Sequence, residues 1–393
     1  MMRRMRARSA SLLAAVVHAA SLCACSDSEP ASSSASSSSG GAGASGAAGQ
    51  GASGAGIGGA GGGAGSASGG AGGATGGAGN GGGGGAPAAE ACRASAGEVE
   101  VTDADTLTAA LQAAQPGTVI RMAPGTYLGT FATSAVGTAE APIALCGTRA
   151  AIIDGGDVES GYALHLDGAE HWVLAGFEVT NAQKGIMLDG SSHNLLTGLL
   201  VHEIGDEAVH FRRFSNDNLI TFSEIRDTGK REPKFGEGVY IGTAVSNWED
   251  ITGSGDTPDT SDGNRVLENA FGPGVTAEHL DLKEGTTGGE VRGNTFDGVG
   301  LSGENFADSW MDVKGNGYVI AENVGTTALE DGFQTHVVED GWGNDNVFSA
   351  NTATVDGPGY GFNIASASTG NVVHCDNVVT GAAAGFANVD CQP

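Results

Sequence analysis

From Ala163 onward one pattern recurs along this chain: a short alternating strand, a turn, then Asn with apolar residues after it. The strands read Ala163–Leu166, Gly185–Leu188, Ala208–Phe211, Gly238–Ile241, His279–Leu282, Trp310–Val313, Gly332–Thr335 and Gly361–Ile364. Anchored on Leu166, Leu188, Phe211, Ile241, Leu282, Val313, Thr335 and Ile364, the spacings are 22, 23, 30, 41, 31, 22 and 29. A basal period near 22 that absorbs insertions marks a solenoid, in which each coil buries its apolar face only by stacking on the next. The units are strands joined by Gly, Asn and Asp turns, so the expected fold is all-β, a single-stranded right-handed parallel β-helix. A second repeat lies in the same period, from HNLLTGLLV and DNLITFSEI to GNVVHCDNVV. It predicts that Asn269, Asn294, Asn323, Asn351 and Asn377 stack in one turn as an amide ladder, since Asn tolerates tight turns and bonds the neighbours above and below. One helix is legible ahead of the coils. Thr102-Asp103 caps Ala104–Ala114, Leu107, Ala110 and Leu111 form its apolar face, and Pro116-Gly117 ends it. It would cover the open edge of the first coil.

The first 90 residues have a different character. Arg3, Arg4, Arg6 and Arg8 precede an apolar stretch from Ala10 to Leu22 that is too short to span a bilayer. Leu22-Cys23-Ala24-Cys25 follows and resembles a bacterial lipobox. That resemblance implies a lipoprotein signal peptide over 1–24, diacylglycerol on Cys25, and export to the outer membrane or cell surface; Ser26 after the Cys points to the outer membrane. Residues 25–90 are almost only Ser, Gly and Ala, too poor in apolar side chains to offset their ordering entropy. They are expected to be a tether, with the β-helix domain over 91–393. Four Cys then remain, Cys92, Cys146, Cys375 and Cys391. They allow three pairings, and the exported context permits disulfides. They fall as one early and one late pair, so Cys92–Cys146 and Cys375–Cys391 are expected. The net charge of −28 argues against a nucleic-acid partner. P-loop, Gly-x-Ser-x-Gly and HExxH patterns are absent.

Alternation within each repeat strand puts every second residue outside, and stacking turns those residues into columns about 4.8 Å apart. One outward column reads His165, Met187, His210, Tyr240, Asp281, Asp312, Gln334 and Asn363. The next reads Asp167, Asp189, Arg212, Gly242, Lys283, Lys314, His336 and Ala365. Asp281 therefore stacks on Asp312, and Lys283 on Lys314 with His336 next. Mid-sheet positions favour Thr or Val, so this two-strand charge patch is a candidate site, weighed against a grid in which each Asp merely neutralises a Lys. The loop Asp256-x-x-Asp259-x-x-Asp262-Gly263-Asn264 is acidic, but it lacks an EF-hand's bidentate Glu and reads as solvated.

The opening TDADTLTAALQAAQPGTVIRMAPGTYLG and the coils after it resemble the β-helix polysaccharide lyases, of pectate and alginate type with the pectin-lyase-like fold, over most of 98–393. Within that group, Ala277-Glu278-His279-Leu280-Asp281-Leu282-Lys283 resembles the lyases of alginate and dermatan sulfate. There a Glu five residues before a Lys supplies a calcium ligand and the Lys is the base; Glu278 and Lys283 match that spacing. The chain departs from the pattern at Thr276, where that family has a second acid, and at Lys314, where it has an Arg. The resemblance implies β-elimination on an acidic, uronate-containing polysaccharide by a monomer. Such a reaction needs the uronate carboxylate neutralised, a base for the C5 proton and an acid for the leaving oxygen. Calcium held by Glu278, Asp281 and Asp312 would serve the first, Lys283 the second, and Lys314 or His336 the third. Tyr240, Trp310 and Arg212 would bind substrate, with Trp248 and Trp342 as further stacking candidates. Two other readings stay open: a glycoside hydrolase using Asp281 and Asp312, although Asn-Thr-Asp and Gly-His-Gly signatures are missing, and a non-catalytic surface glycan-binding module.

Overall fold

A computed structural model describes residues 92–93 and 97–393. The expected leader, the lipidation expected at Cys25 and the expected tether over 25–90 lie outside the described residues. The strands form three parallel sheets of eleven, ten and ten members. Neighbours within each sheet come from successive coils, which is the ladder of a parallel β-helix. The anchor residues Leu166, Leu188, Phe211, Ile241, Leu282 and Val313 form one continuous interior stack, each with no accessible surface. Truncating such a leucine to alanine costs about 2–5 kcal/mol, because a neighbour that is itself stacked cannot collapse into the void.

The helix occupies Ala104–Ala113, and Asp103 caps it in a capping box with Thr106. Leu107, Ala110 and Leu111 are its buried face. The Thr133 hydroxyl donates to the Leu111 carbonyl at 3.1 Å, which ties the helix to the strand Phe131–Thr133. The asparagine ladder is continuous. The side-chain amides of Asn269, Asn294, Asn323 and Asn351 each donate to the next Asn in the series, ending at Asn377, at 2.9–3.0 Å. A second ladder, Asn194–Asn218–Asn264, runs along the turn that enters the eleven-stranded sheet. Each amide satisfies a turn's backbone groups that would otherwise be buried without partners. The disulfides are Cys92–Cys146 and Cys375–Cys391, as expected. They tie the segment before the helix to the solenoid and close the last coil.

Trp310 departs from the sequence expectation. It was a candidate sugar platform, but its side chain is fully buried. The indole points inward and meets Phe333 edge-on at 5.5 Å, and its Nε1 donates to the Thr327 carbonyl at 3.1 Å. Gly325 faces this ring, and a Cβ there would clash with it. Trp310 is a core residue because it lies one step before the strand Met311–Val313, where the chain comes out of the turn and strict alternation does not hold.

Candidate active site

The register of the ten-stranded sheet that begins with the strand Phe131–Thr133 aligns the first outward column as the alternation predicts. His165 pairs with Met187, Met187 with His210, His210 with Tyr240, Tyr240 with Asp281, Asp281 with Asp312, Asp312 with Gln334, and Gln334 with Asn363. Loops rise on both sides of the middle rungs. On the side where these strands begin stand residues 226–236 and 298–309, whose 3-10 turns Pro233–Phe235 and Glu304–Phe306 touch. On the side where they end stands 243–262, with a short helix Trp248–Thr252. Trp248 is buried and donates to the Thr243 carbonyl at 2.9 Å, so it braces this wall and offers no stacking face.

The floor between the walls holds the charge patch. Outward residues here are not exposed: Asp281 and Asp312 are each 2% accessible, Lys283 and Lys314 each 8%. Lys314 Nζ bridges the two carboxylates, 2.8 Å from Asp281 Oδ1 and 3.1 Å from Asp312 Oδ2. Lys283 Nζ lies 2.9 Å from Asp281 Oδ2 and 5.0 Å above the centre of the half-exposed Tyr240 ring. His336 Nε2 faces Asp312 Oδ1 at 3.2 Å as an ion-pair contact. Burial opposes the Lys314 ammonium, but Asp281 and Asp312 outweigh it and hold Lys314 well above the ordinary lysine value. Burial likewise works against the Asp312 carboxylate, and His336 and Lys314 overcome it, so that group stays ionised far below the usual range. The same balance raises His336, where Asp312 prevails over burial. Lys314 is therefore a fixed cation. Asp312 is held as a carboxylate paired with Lys314 and His336.

A third column stands three residues before the first and is made of Glu207, Glu237 and Glu278, all buried. Glu237, Glu278 and Asp281 each place a carboxylate oxygen within 4.8 Å of the others. Burial, reinforced by Glu207 and Asp281, pushes Glu237 up to about 8. Burial with Asp312 and Asp281 raises Glu278 well above its ordinary value. The structure thus gathers Glu278 and Asp281 with Glu237, while Asp312 turns to Lys314, His336 and the Ser309 hydroxyl. Thr276, two residues before Glu278, is spent on the wall and donates to the Pro233 carbonyl at 2.8 Å. Glu237 from the neighbouring rung is the third acid of the cluster. Three hard oxygen donors suit calcium, which takes six to eight oxygens, and leave room for a substrate carboxylate and water.

On the preceding rungs the charges neutralise one another. Lys184 Nζ donates to Glu207 at 2.6 Å, and the same oxygen lies 2.9 Å from His210 Nδ1. His210 Nε2 donates to the Gly242 carbonyl at 2.8 Å and packs edge-on against Tyr240, with 4.3 Å between centroids. Arg212, expected to meet substrate, is 8% accessible and donates to Asp189 at 2.6 Å. It braces the floor. The glutamate column had a legible signal that the outward alternation does not include: Glu207-Ala-Val-His210, Glu237-Gly-Val-Tyr240 and Glu278-His-Leu-Asp281 repeat one pattern at coil pitch.

No family profile matches the sequence, and no curated protein matches it. Among solved structures, the alginate lyase from Paenibacillus sp. str. FPU-7 is 36% identical with a TM-score of 0.69, covering 74% of this chain and 99% of that one. Pectate lyase Pel9A is 18% identical with a TM-score of 0.46, covering 72% of each chain. The PL6 family alginate lyase AlyGC is 17% identical with a TM-score of 0.43, covering 70% of this chain and 40% of that one.

Proposed function

The chain belongs to the family of parallel β-helix polysaccharide lyases, and from that premise we propose that it cleaves a uronate polymer of the alginate type by β-elimination, with Lys283 as the base. The observation that carries this is the stacking of Lys283, Tyr240 and the Glu237–Glu278–Asp281 cluster on adjacent rungs of one walled floor. Elimination starts at C5, whose proton is acidic only when the neighbouring carboxylate is neutralised. A substrate carboxylate over the floor meets the Lys314 cation and the acid cluster. Lys283 Nζ, in the fraction that has lost its proton, takes the C5 proton. The C5 electron pair forms the C4–C5 double bond as the C4–O4 bond breaks, and the Tyr240 hydroxyl on the adjacent rung donates its proton to the departing O4. Calcium, when bound by Glu237, Glu278 and Asp281, would neutralise the uronate carboxylate and acidify C5. Lys314 and Asp312 hold Asp281 and His336 in place rather than moving protons themselves.

We place the enzyme outside the cell, tethered to the outer membrane through Cys25; the basic leader and Leu22-Cys23-Ala24-Cys25 support that location. The test of the activity is a panel of alginate, pectate and glycosaminoglycans, with calcium or chelator, followed by unsaturated-uronate absorbance. Product from a uronate polymer is expected with wild type. A protein that binds alginate without making unsaturated ends would be the glycan-binding module instead.

A further inference from the structure

One turn beside the active site carries a residue more than its neighbours. Asp167-Gly168-Ala169 and Asp189-Gly190-Ser191 leave the sheet through a single left-handed glycine. The next coil leaves through Arg212-Arg213-Phe214-Ser215. Arg212 is in register with Asp189, and Ser191 N donates to Ser215 Oγ at 2.9 Å, so two residues fill the place of one. Both are left-handed, Arg213 at φ 57° and Phe214 at φ 66°. Side chains larger than Gly seldom adopt that conformation, and two in succession persist only when their surroundings hold them.

What holds them is Asp259. It has no accessible surface, and its carboxylate accepts the amides of Arg213 at 2.9 Å and Phe214 at 2.8 Å. It also accepts the Thr243 and Ser261 hydroxyls, at 2.7 and 2.9 Å. The acidic loop that reads as solvated in the sequence is thus pinned through its middle carboxylate, which accepts both left-handed amides of this turn. The outcome is two side chains turned to solvent: Phe214 is 40% accessible and the Arg213 side chain 45%. Arg213 Nε lies 3.9 Å from Asp189 Oδ1, but that carboxylate already accepts Arg212 at 2.6 Å and faces His165 at 2.9 Å. Two guanidiniums face one carboxylate, and Arg213, the farther of the two, keeps its side chain partly exposed beside the floor.

We infer that Arg213 and Phe214 form an accessory uronate subsite, the phenyl ring against a pyranose face and the guanidinium against that sugar's carboxylate. It lies two rungs, about 10 Å, from Lys283. That distance is bridged by a chain of sugars and not by the one being cleaved, so the subsite favours polymer over short fragments. The inference rests on the lyase reading for the identity of the sugar.

The test uses the full chain and four variants, Phe214→Ala, Phe214→Tyr, Arg213→Ala and Phe222→Ala. Phe222 is the control: it is 38% accessible and left-handed at φ 50°, but it sits at the corner between the other two sheets. Retardation in gels containing alginate reads binding, and initial rates on polymer and on the shortest cleaved oligomer read catalysis. Phe214→Ala and Arg213→Ala are expected to weaken retardation and to raise KM on polymer about three- to tenfold with kcat unchanged. Phe214→Tyr and Phe222→Ala should behave as wild type, and the short oligomer should not distinguish any of them. Wild-type retardation and KM in both alanine variants would overturn the subsite, as would a wild type that alginate does not retard. If the alanine variants lose retardation while no protein yields unsaturated product, the lyase reading falls and the subsite stands.

Discussion

Removing Lys283 and removing Lys314 should have opposite balances of activity and stability, although the two ammoniums look equivalent in sequence. In Lys283→Ala, Asp281 loses its partner at 2.9 Å and keeps Lys314 at 2.8 Å. The ion pair that disappears is worth about 1.5–3 kcal/mol, and the contact of Lys283 with the Tyr240 ring goes with it. In Lys314→Ala two buried carboxylates lose the cation between them; Asp281 keeps only Lys283, and Asp312 keeps His336 at 3.2 Å with the Ser309 hydroxyl. Truncating one partner of a buried pair costs about 3–5 kcal/mol. In a domain of this size a kcal/mol moves Tm by roughly 2 °C, so falls of about 3–6 °C and 6–10 °C are expected. Loss of a general base lowers turnover by about 10²–10⁴, and that loss belongs to Lys283→Ala. Lys314→Arg should recover most of the stability by keeping a cation between the carboxylates. Thermal unfolding and unsaturated-uronate absorbance measure the two axes on the same samples. Undiminished turnover in Lys283→Ala, or a Lys314→Ala no less stable than Lys283→Ala, would refute this division of roles.

Glu237→Gln tests the acid cluster through pH. The wild-type side chain holds its proton up to about 8 in the folded state and gives it up near the ordinary value when unfolded. Through this group wild type loses stability as pH rises from about 4.5 to 8, and the variant is spared that share of the loss; equal Tm at pH 4 and a variant more stable at pH 8 by a few kcal/mol are expected. Calcium added at pH 8 should raise the Tm of wild type more than that of Glu237→Gln, and an equal rise in both would place the ion elsewhere. Cys25→Ala should move the protein from the membrane fraction to the soluble exported fraction, and a wild type that carries no lipid by mass would remove the anchor.

The coil repeat was legible because it is a one-dimensional property: the period, the alternation and the turn residues each recur along the chain. The first outward column and the asparagine ladder from Asn269 to Asn377 followed from register alone. Depth was not legible. Alternation says that Lys283 points away from the interior, but not that the walls leave it 8% accessible. An outward lysine on an open sheet would contribute little to stability, and this one is part of a buried network.

The limits of alternation also explain which residues were misassigned. A period of two describes the middle of a strand, where side chains are strictly in or out. One step before the strand it placed Trp310 outside, although the indole closes the interior. One step earlier still, Glu207, Glu237 and Glu278 rejoin the outward face from the turn. They contribute the acids that a two-column reading leaves out. The same holds where strands end, since Arg213 and Phe214 owe their position to an inserted residue and to Asp259, 45 residues further along the chain. Chemistry collects at these margins because ladder positions are fixed by their neighbours above and below, while a turn can gain a residue without disturbing the stack. In this solenoid the floor of the site is therefore set by the repeat, and its selectivity by the places where the repeat is broken.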